Sequence, residues 1–368
     1  MPGNTYDVVV IGRGIIGGTI AWRLRQAGLS VASIDSVQRG AATKAAAGML
    51  AAMAESNSLP ELAKLSVPSL RMYPDFLAEL ESDSGIAVPL NGPGILRIAL
   101  DEEEDAHLHE TYESHADVVQ FLTGDEARSL EPGLAGRVIS AVLSPTEKHV
   151  TPSVLMDAVT TAFKRTGIVE FTDSVVRLRR TEDAWTVDMT SQTIAGKQVV
   201  IAAGAWAPAL LAPLRFDAPI TPLKGELLLM RYRRTPPPAH TIFAHGTYIV
   251  PRPGGDVVLG ATEDPTAGFD ASTTIVAVND LRARGAGILP TIADAQMHKG
   301  LVGVRPATPD RLPMIGRVPG VDDIFIAGGH GRNGVLLTPI TAKMIRDLIV
   351  DGAQPPASVE PGRFSNPQ

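Results

Sequence analysis

Tyr6-Asp-Val-Val-Val-Ile11-Gly12-Arg-Gly14-Ile15-Ile16-Gly17 is the stretch on which the fold turns. Tyr6 to Ile11 is β-branched and too poor in polar residues for an exposed strand, which predicts a buried parallel strand. Ile16, Ile20 and Leu24 then fall at helical spacing as far as Gly28. A second strand, Leu29 to Ile34, ends on Asp35, 23 positions after Gly12. Strand, glycine turn, helix, strand and terminal acid together form the dinucleotide-binding fingerprint. Gly12 permits the tight turn, Gly14 lets backbone approach a pyrophosphate, and Gly17 lets helix and strand pack closely. The helix start offers free N–H groups to phosphate, and Asp35 would accept hydrogen bonds from an adenosine ribose. NAD and FAD are not separated by this stretch.

Outward from it, Ser36 follows the acid, and Gly40 to Ala52 is rich in small residues. That run reads either as a closely packed helix or as a turn whose backbone follows a long cofactor past its pyrophosphate, with Thr43 adding a hydroxyl. Leu59 to Ser82 reads as a helix that Pro68 and Pro74 should kink or divide. Ile95 to Leu100 and Val138 to Leu143 read as strands. Asp101 to Asp105 reads as the solvated start of a helix, and His107, His109 and His115 on it face different ways, so no metal site is expected. Thr151-Pro152 opens a helix to Thr166, with threonine as N-cap. Strands follow at Ile168 to Leu178, Trp185 to Met189 and Gln198 to Ala202. The last runs into Ala203-Gly204-Ala205-Trp206, a turn at a strand's carboxyl end, where open α/β sheets bind ligands.

From Ile220 the pattern becomes all-β, with strands at Glu226 to Tyr232, Thr247 to Val250 and Val257 to Leu259, and Pro236 to Pro238 as a stiff loop. A helix around Val278 to Ala286 precedes a strand from Gln296 to Val304 that ends on Arg305. Ile324 to Gly328 is a further strand, and Gly329-His330-Gly331-Arg332-Asn333-Gly334-Val335-Leu336 leads into an apolar helix to Ile349. A dehydrogenase using NAD has no need of this second glycine turn. A flavoprotein does, because a helix start aimed at the ring edge stabilises charge on reduction. Residues from Gln354 are expected to fray.

Composition bounds the rest. The 368 residues are 44% hydrophobic and 20% charged, with a net charge of −7, so neither nucleic acid nor an anionic membrane is expected as a partner. The chain has no cysteine, which excludes disulfides, thiolate metal sites, cysteine nucleophiles and thioether-linked cofactors. The first residues have no basic n-region, no apolar run suffices to span a bilayer, and a cytoplasmic protein is expected.

Four segments, Gly12 to Gly17, Ala45 to Leu50, Ala202 to Trp206 and Gly329 to Leu337, resemble the FAD-dependent D-amino acid oxidase-type amine oxidoreductases. Tyr248-Ile-Val-Pro-Arg252, Gly303 to Asp310 and Pro313 to Gly316 bring the resemblance closest to the glycine oxidase branch, which supplies glycine imine for the thiazole of thiamine. The resemblance implies an α/β fold: a discontinuous Rossmann-like FAD domain (1–88, 145–215 and 300–368) with an inserted, mostly antiparallel β substrate domain (89–144 and 216–299). It implies non-covalent FAD. It implies that Arg305 and Tyr248 bind a substrate carboxylate, and that Met49 and Ala51 line the pocket. Arg332 would lie near flavin and substrate, His330 would be structural or flavin-contacting, and Val175 or Val176 would present backbone to the adenine. Lys44, Ala47, Gly48, Ala203, Gly204 and Trp206 complete the expected cofactor contacts. The activity implied is oxidation of glycine, sarcosine or small D-amino acids with O₂ as acceptor, in a homo-oligomer, with channelling to thiazole synthase. Alternatives are a dehydrogenase that passes electrons to a quinone or carrier, and a flavin-binding interaction protein. Gly331 departs from the aromatic residue usual in the family, Lys44 from serine or tryptophan, and the segment after Thr262 matches poorly.

Overall fold

The computed structural model describes residues 5–53, 59–233 and 237–365; Pro236 of the expected stiff loop lies outside them. Two eight-stranded sheets organise these residues. The first contains β1 (Thr5–Ile11), β2 (Val31–Asp35), β8 (Val169–Thr172), β9 (Val175–Arg180), β10 (Trp185–Met189), β11 (Thr193–Ile201), β17 (Met314–Arg317) and β18 (Ile324–Gly328). Its path runs β17-β18-β11-β1-β2-β8, parallel from β18 to β8, with β10 and β9 added antiparallel. The two faces of β1 explain its uninterrupted apolar run. Val8 and Val10 pack against the helices Ile15–Gln26, Pro60–Ser84, Pro152–Thr166 and Thr338–Val350. Val9 and Ile11 pack on the other side with Trp185, Phe216 and Ile326. A strand buried on both faces cannot alternate polar with apolar.

The second sheet contains β4 (Ile95–Ala99), β5 (Gln120–Thr123), β6 (Ser140–Ser144), β12 (Thr221–Arg231), β13 (Thr241–Ala244), β14 (Thr247–Pro251), β15 (Asp256–Gly260) and β16 (Gln296–Ala307). Its order is β16-β12-β15-β14-β13-β4-β6-β5, antiparallel except where β13 meets β4. One face packs beneath the helix Ile275–Ile288. The other carries Leu227, Tyr248 and Val258 against Ala45 and Ala47 of the first glycine-rich run. β16 is the edge strand and pairs with β12 from Gln296 to Ala307, so residue 300 falls in the middle of a strand rather than between the two sheets. A two-stranded ribbon, β3 (Met49–Leu50) with β7 (Lys148–His149), joins the two halves.

The helix expected to be divided by Pro68 and Pro74 is continuous over Pro60–Ser84. Tertiary bonds hold it: Ser69 Oγ donates to the Leu336 carbonyl at 2.7 Å, and the Tyr73 hydroxyl donates to that of Val335. Thr151 precedes a helix with proline at its start, as expected, but its side chain makes no capping bond. Ile168 to Leu178 is two strands, β8 and β9. The segment from Gln354 does not fray as far as Ser365: Val359 is buried, and Arg363 makes a two-pronged pair with Asp310 at 2.7 and 3.2 Å.

Candidate active site

A cleft runs from the carboxyl ends of β1, β2 and β11 to the Tyr248 face of the second sheet. At its first end the glycines are required sterically. A Cβ on Gly12, which has φ +98°, would collide with the Ala202 carbonyl, and one on Gly17 would collide with the Gly12 carbonyl. Gly17 therefore serves packing and does not itself line the cleft. The Arg13 amide donates to Asp35 Oδ1 at 3.1 Å, which fixes the carboxylate at the rim beside Ser36. The Ile15 amide, first in its helix, donates to Thr43 Oγ1 at 3.1 Å. Thr43 thus sits at the positive end of the helix dipole, where a phosphate would be held.

The Gly40–Ala52 run resolves its two readings. It is a short helix, Ala42–Ala45, followed by extended chain that lines the cleft with Ala47, Gly48, Met49 and Ala51. Gly48 needs its φ of +78°, since a Cβ would strike the Val150 carbonyl. Lys44 is exposed at the rim. Ala203, Gly204 and Trp206 form the opposite rim, and the Trp206 ring lies 5.2 Å from Phe269. Val175 reaches the cleft; Val176 is 68% exposed and does not.

The late motif contributes His330 to Val335 as wall, whereas Gly329 and Leu336 are buried behind it. His330 lies with Nε2 3.0 Å from Thr341 Oγ1, and burial holds its pKa down to about 3. It is therefore a neutral wall group at ordinary pH. Gly331 has φ +54°, and a Cβ there would meet no atom within 4 Å.

Arg305 projects from β16 into the cleft with its side chain 12% exposed. Its Nη1 donates to the Thr262 carbonyl at 3.1 Å and lies 3.7 Å from Glu263 Oε1. Arg332 Nη1 lies 3.3 Å from the same oxygen. Tyr248 is buried on β14 and lines the same cleft. Two glycines make the room: a Cβ on Gly225 would collide with the Arg305 guanidinium, and one on Gly260 would press the Tyr248 ring at 2.7 Å. Sequence reasoning gave neither glycine nor Glu263 a role. Both lie inside strands of the structure, β12 and β15, where a glycine marks a close approach, but the sequence pattern begins its strand at Glu226 and ends the other at Leu259, which leaves both outside. Glu263 stood in the segment where the family pattern broke down.

Arg252 closes the Tyr248–Arg252 stretch that carries the resemblance. Its Nη2 donates to the Ala47 carbonyl, and burial lowers its pKa to about 10. It thus secures the wall on which Met49 lies. Beside it His149 is held down to about 4, by burial first and by the Arg252 charge second. His107, His109 and His115 do not converge; His107 and His109 each stand near a carboxylate of their own helix. Among the described residues His245 instead meets Asp101 and Glu104 at 2.9 and 3.1 Å on the surface. No helix among the described residues is long and apolar enough to cross a membrane.

The glycine cradle, the Asp35 rim, the Thr43 hydroxyl and the wall of the late motif fit a long dinucleotide. The FAD dependent oxidoreductase model matches residues 7–348. Glycine oxidase of Geobacillus kaustophilus is 35% identical over 94% of this chain and 93% of its own. The crystal structure of glycine oxidase from that organism superposes with a TM-score of 0.92 at 33% identity, covering 98% and 99% of the two chains. The bifunctional protein ThiO/ThiG of Trichormus variabilis is 31% identical over 96% of this chain and 54% of its own length. The chain belongs to the FAD dependent oxidoreductase family, D-amino acid oxidase type, as an enzyme that acts on amino acid or amine donors with FAD as its cofactor.

Proposed function

We propose that the enzyme oxidises glycine and other small amino acids or amines, with O₂ as the acceptor. Glycine + O₂ + H₂O would give glyoxylate + NH₃ + H₂O₂, by way of the imine. The observation that carries this reading is that Arg305 and Tyr248, from different strands, line the same cleft as the glycine cradle. FAD, when bound there, supplies the two-electron acceptor. Gly12, Gly14 to Ile16, Asp35, Thr43 and the wall from His330 to Val335 would hold it. With no cysteine in the chain, thiolate attachment is excluded.

Arg305 would take the substrate carboxylate in its planar fork through two charge-assisted bonds, and the Tyr248 hydroxyl would donate a third. Fixing both oxygens leaves the α-carbon little rotational freedom, and orientation of that kind supplies much of the rate. Met49 and Ala51 exclude water from the apolar side. Oxidation of a neutral amine needs no dedicated base, and none is assigned; His330, neutral and buried, keeps the wall uncharged. In this reading residues 1–88, 145–215 and the chain after β16 form the cofactor domain, and 89–144 with 216 to Ala307 form the substrate domain.

A second reading, a secondary-amine or D-amino acid oxidase with little glycine activity, is favoured by the open space at Gly331. A dehydrogenase that hands electrons to a quinone or carrier uses the same site. Similarity to one half of a bifunctional ThiO/ThiG protein supports a role in making thiamine, with imine passed to thiazole synthase; a cytoplasmic location and a homo-oligomer are the expected setting. Peroxide release in air from glycine, sarcosine and D-alanine, measured side by side, separates these readings. Turnover only with an artificial acceptor would favour the dehydrogenase.

A further inference from the structure

A second cavity adjoins the cleft, and the two share Arg305 and Arg332 in their walls. Thr262, Glu263, Asp280 and Arg284 line only the outer one. Arg284 reaches it from the helix Ile275–Ile288, with Nη2 2.8 Å from Asp280 and Nη1 donating to Thr247 Oγ1 at 3.0 Å. Three guanidiniums therefore face two carboxylates. Glu263 is the carboxylate set between the two shared arginines, with one oxygen 3.3 Å from Arg332 and 3.7 Å from Arg305. Gly331 leaves the adjoining wall of the cleft without a side chain. A substituent on the substrate that extends past Arg305 and Arg332, the side chains the two cavities share, would enter the outer one.

We propose that Glu263 is a specificity-determining residue that excludes amines bearing a second acidic group. The inference rests on the carboxylate anchor at Arg305. Once the first carboxylate occupies Arg305, the next cations a second one meets are Arg332 and Arg284, each already paired, with Glu263 and with Asp280. Glu263 already supplies a negative charge at that point. A second carboxylate must approach it at short range, and although the Glu263 side chain is 45% exposed and partly screened by water, like charges at contact distance still repel by more than thermal energy. A substrate with one carboxylate meets no such penalty, because it needs only the inner face of Arg305. Charge outweighs positioning here: Arg305 keeps the Thr262 carbonyl as an anchor and is largely enclosed by β12 and β16 whether or not Glu263 is charged.

Sarcosine and iminodiacetate test this directly, since they are the same secondary amine without and with a second carboxylate. Glu263→Gln preserves shape and an acceptor for both arginines while removing the charge. In the FAD-loaded enzyme, the ratio of kcat/KM for iminodiacetate to that for sarcosine should rise about tenfold or more in Glu263→Gln. Calorimetric titration with malonate and acetate, which needs no turnover, should show the malonate-to-acetate affinity ratio rising in parallel. Ratios within twofold of wild type, or lower, would overturn the proposal. So would a wild-type enzyme that already handles iminodiacetate as well as sarcosine. Arg305→Ala separates the two levels of the argument. If it leaves acetate binding unchanged, the carboxylate anchor itself is misplaced. If it weakens acetate while Glu263→Gln leaves the ratios alone, only the role of Glu263 has failed.

Discussion

Arg305 carries most of what a single residue can carry in this account. Its replacement by alanine removes a charge-assisted pair from a nearly enclosed position, and each such bond contributes roughly 1.5–3 kcal/mol. The expected loss is about 3–5 kcal/mol, or some two to three and a half decades in kcat/KM. Most of it should appear in KM, because the carboxylate is held alike in ground and transition states. Arg305→Lys should recover only part, since a point charge cannot reproduce the fork. A gentler probe leaves the arginine in place. Gly225→Ala puts a methyl group where the guanidinium lies, and a flexible side chain can move aside. It should therefore raise KM for carboxylate substrates with little loss of thermal stability; steady-state kinetics beside a melting curve checks both. Gly331→Tyr would fill open space and should lower activity on D-alanine relative to glycine. Its φ of +54° adds a stability cost of about 1–2 kcal/mol for any residue with a Cβ.

At the scale of elements, the helix Pro60–Ser84 is held where its own sequence argues against it. Two prolines lie inside it, and its neighbours supply the compensation. Tyr73 is fully buried, burial raises its hydroxyl pKa, and that hydroxyl satisfies the Val335 carbonyl behind the cleft wall. Tyr73→Phe leaves that carbonyl without this donor and should cost about 1–3 kcal/mol, read as a lower denaturant midpoint at unchanged slope. This helix also marks what the sequence could and could not disclose. Local signals sufficed for β1, the glycine turn and β2, because apolar run, glycine spacing and terminal acid all lie within thirty residues. They also placed Tyr248 within a strand, whereas Arg305, expected at the end of its strand, lies inside β16, which runs on to Ala307. They failed where distant partners decide. The continuity of the proline-containing helix depends on Ser69 and Tyr73 reaching the late motif. The ordered tail depends on the Arg363–Asp310 pair. β13 went unread because it is four residues long and gains its place by pairing with β4 and β14. Glu263 was illegible for a further reason: its meaning comes from two arginines 42 and 69 positions away in the chain.

The whole molecule answers to pH through its buried histidines. His149 and His330 have folded pKa values of about 4 and about 3, below the usual 6.5, so the unfolded chain binds protons first as pH falls. Their stabilising contribution is present in full above about 6.5 and is lost as pH drops toward 4 and 3. Thermal midpoints measured across that window should decline, and His149→Gln should flatten the decline. Ligation acts on the same scale. FAD bound to the folded state alone should raise the melting temperature with concentration, and NAD should not. The central claim, that this cleft brings an amino acid's α-carbon to FAD with its carboxylate on Arg305, is tested most directly by anaerobic reduction. The yellow holoenzyme, mixed with glycine or sarcosine in the absence of oxygen, should bleach with saturable dependence on amine concentration. In Arg305→Ala the half-saturating concentration should rise by about two decades or more. A flavin that stays oxidised with every amine, or one reduced equally well in the variant, would contradict the account.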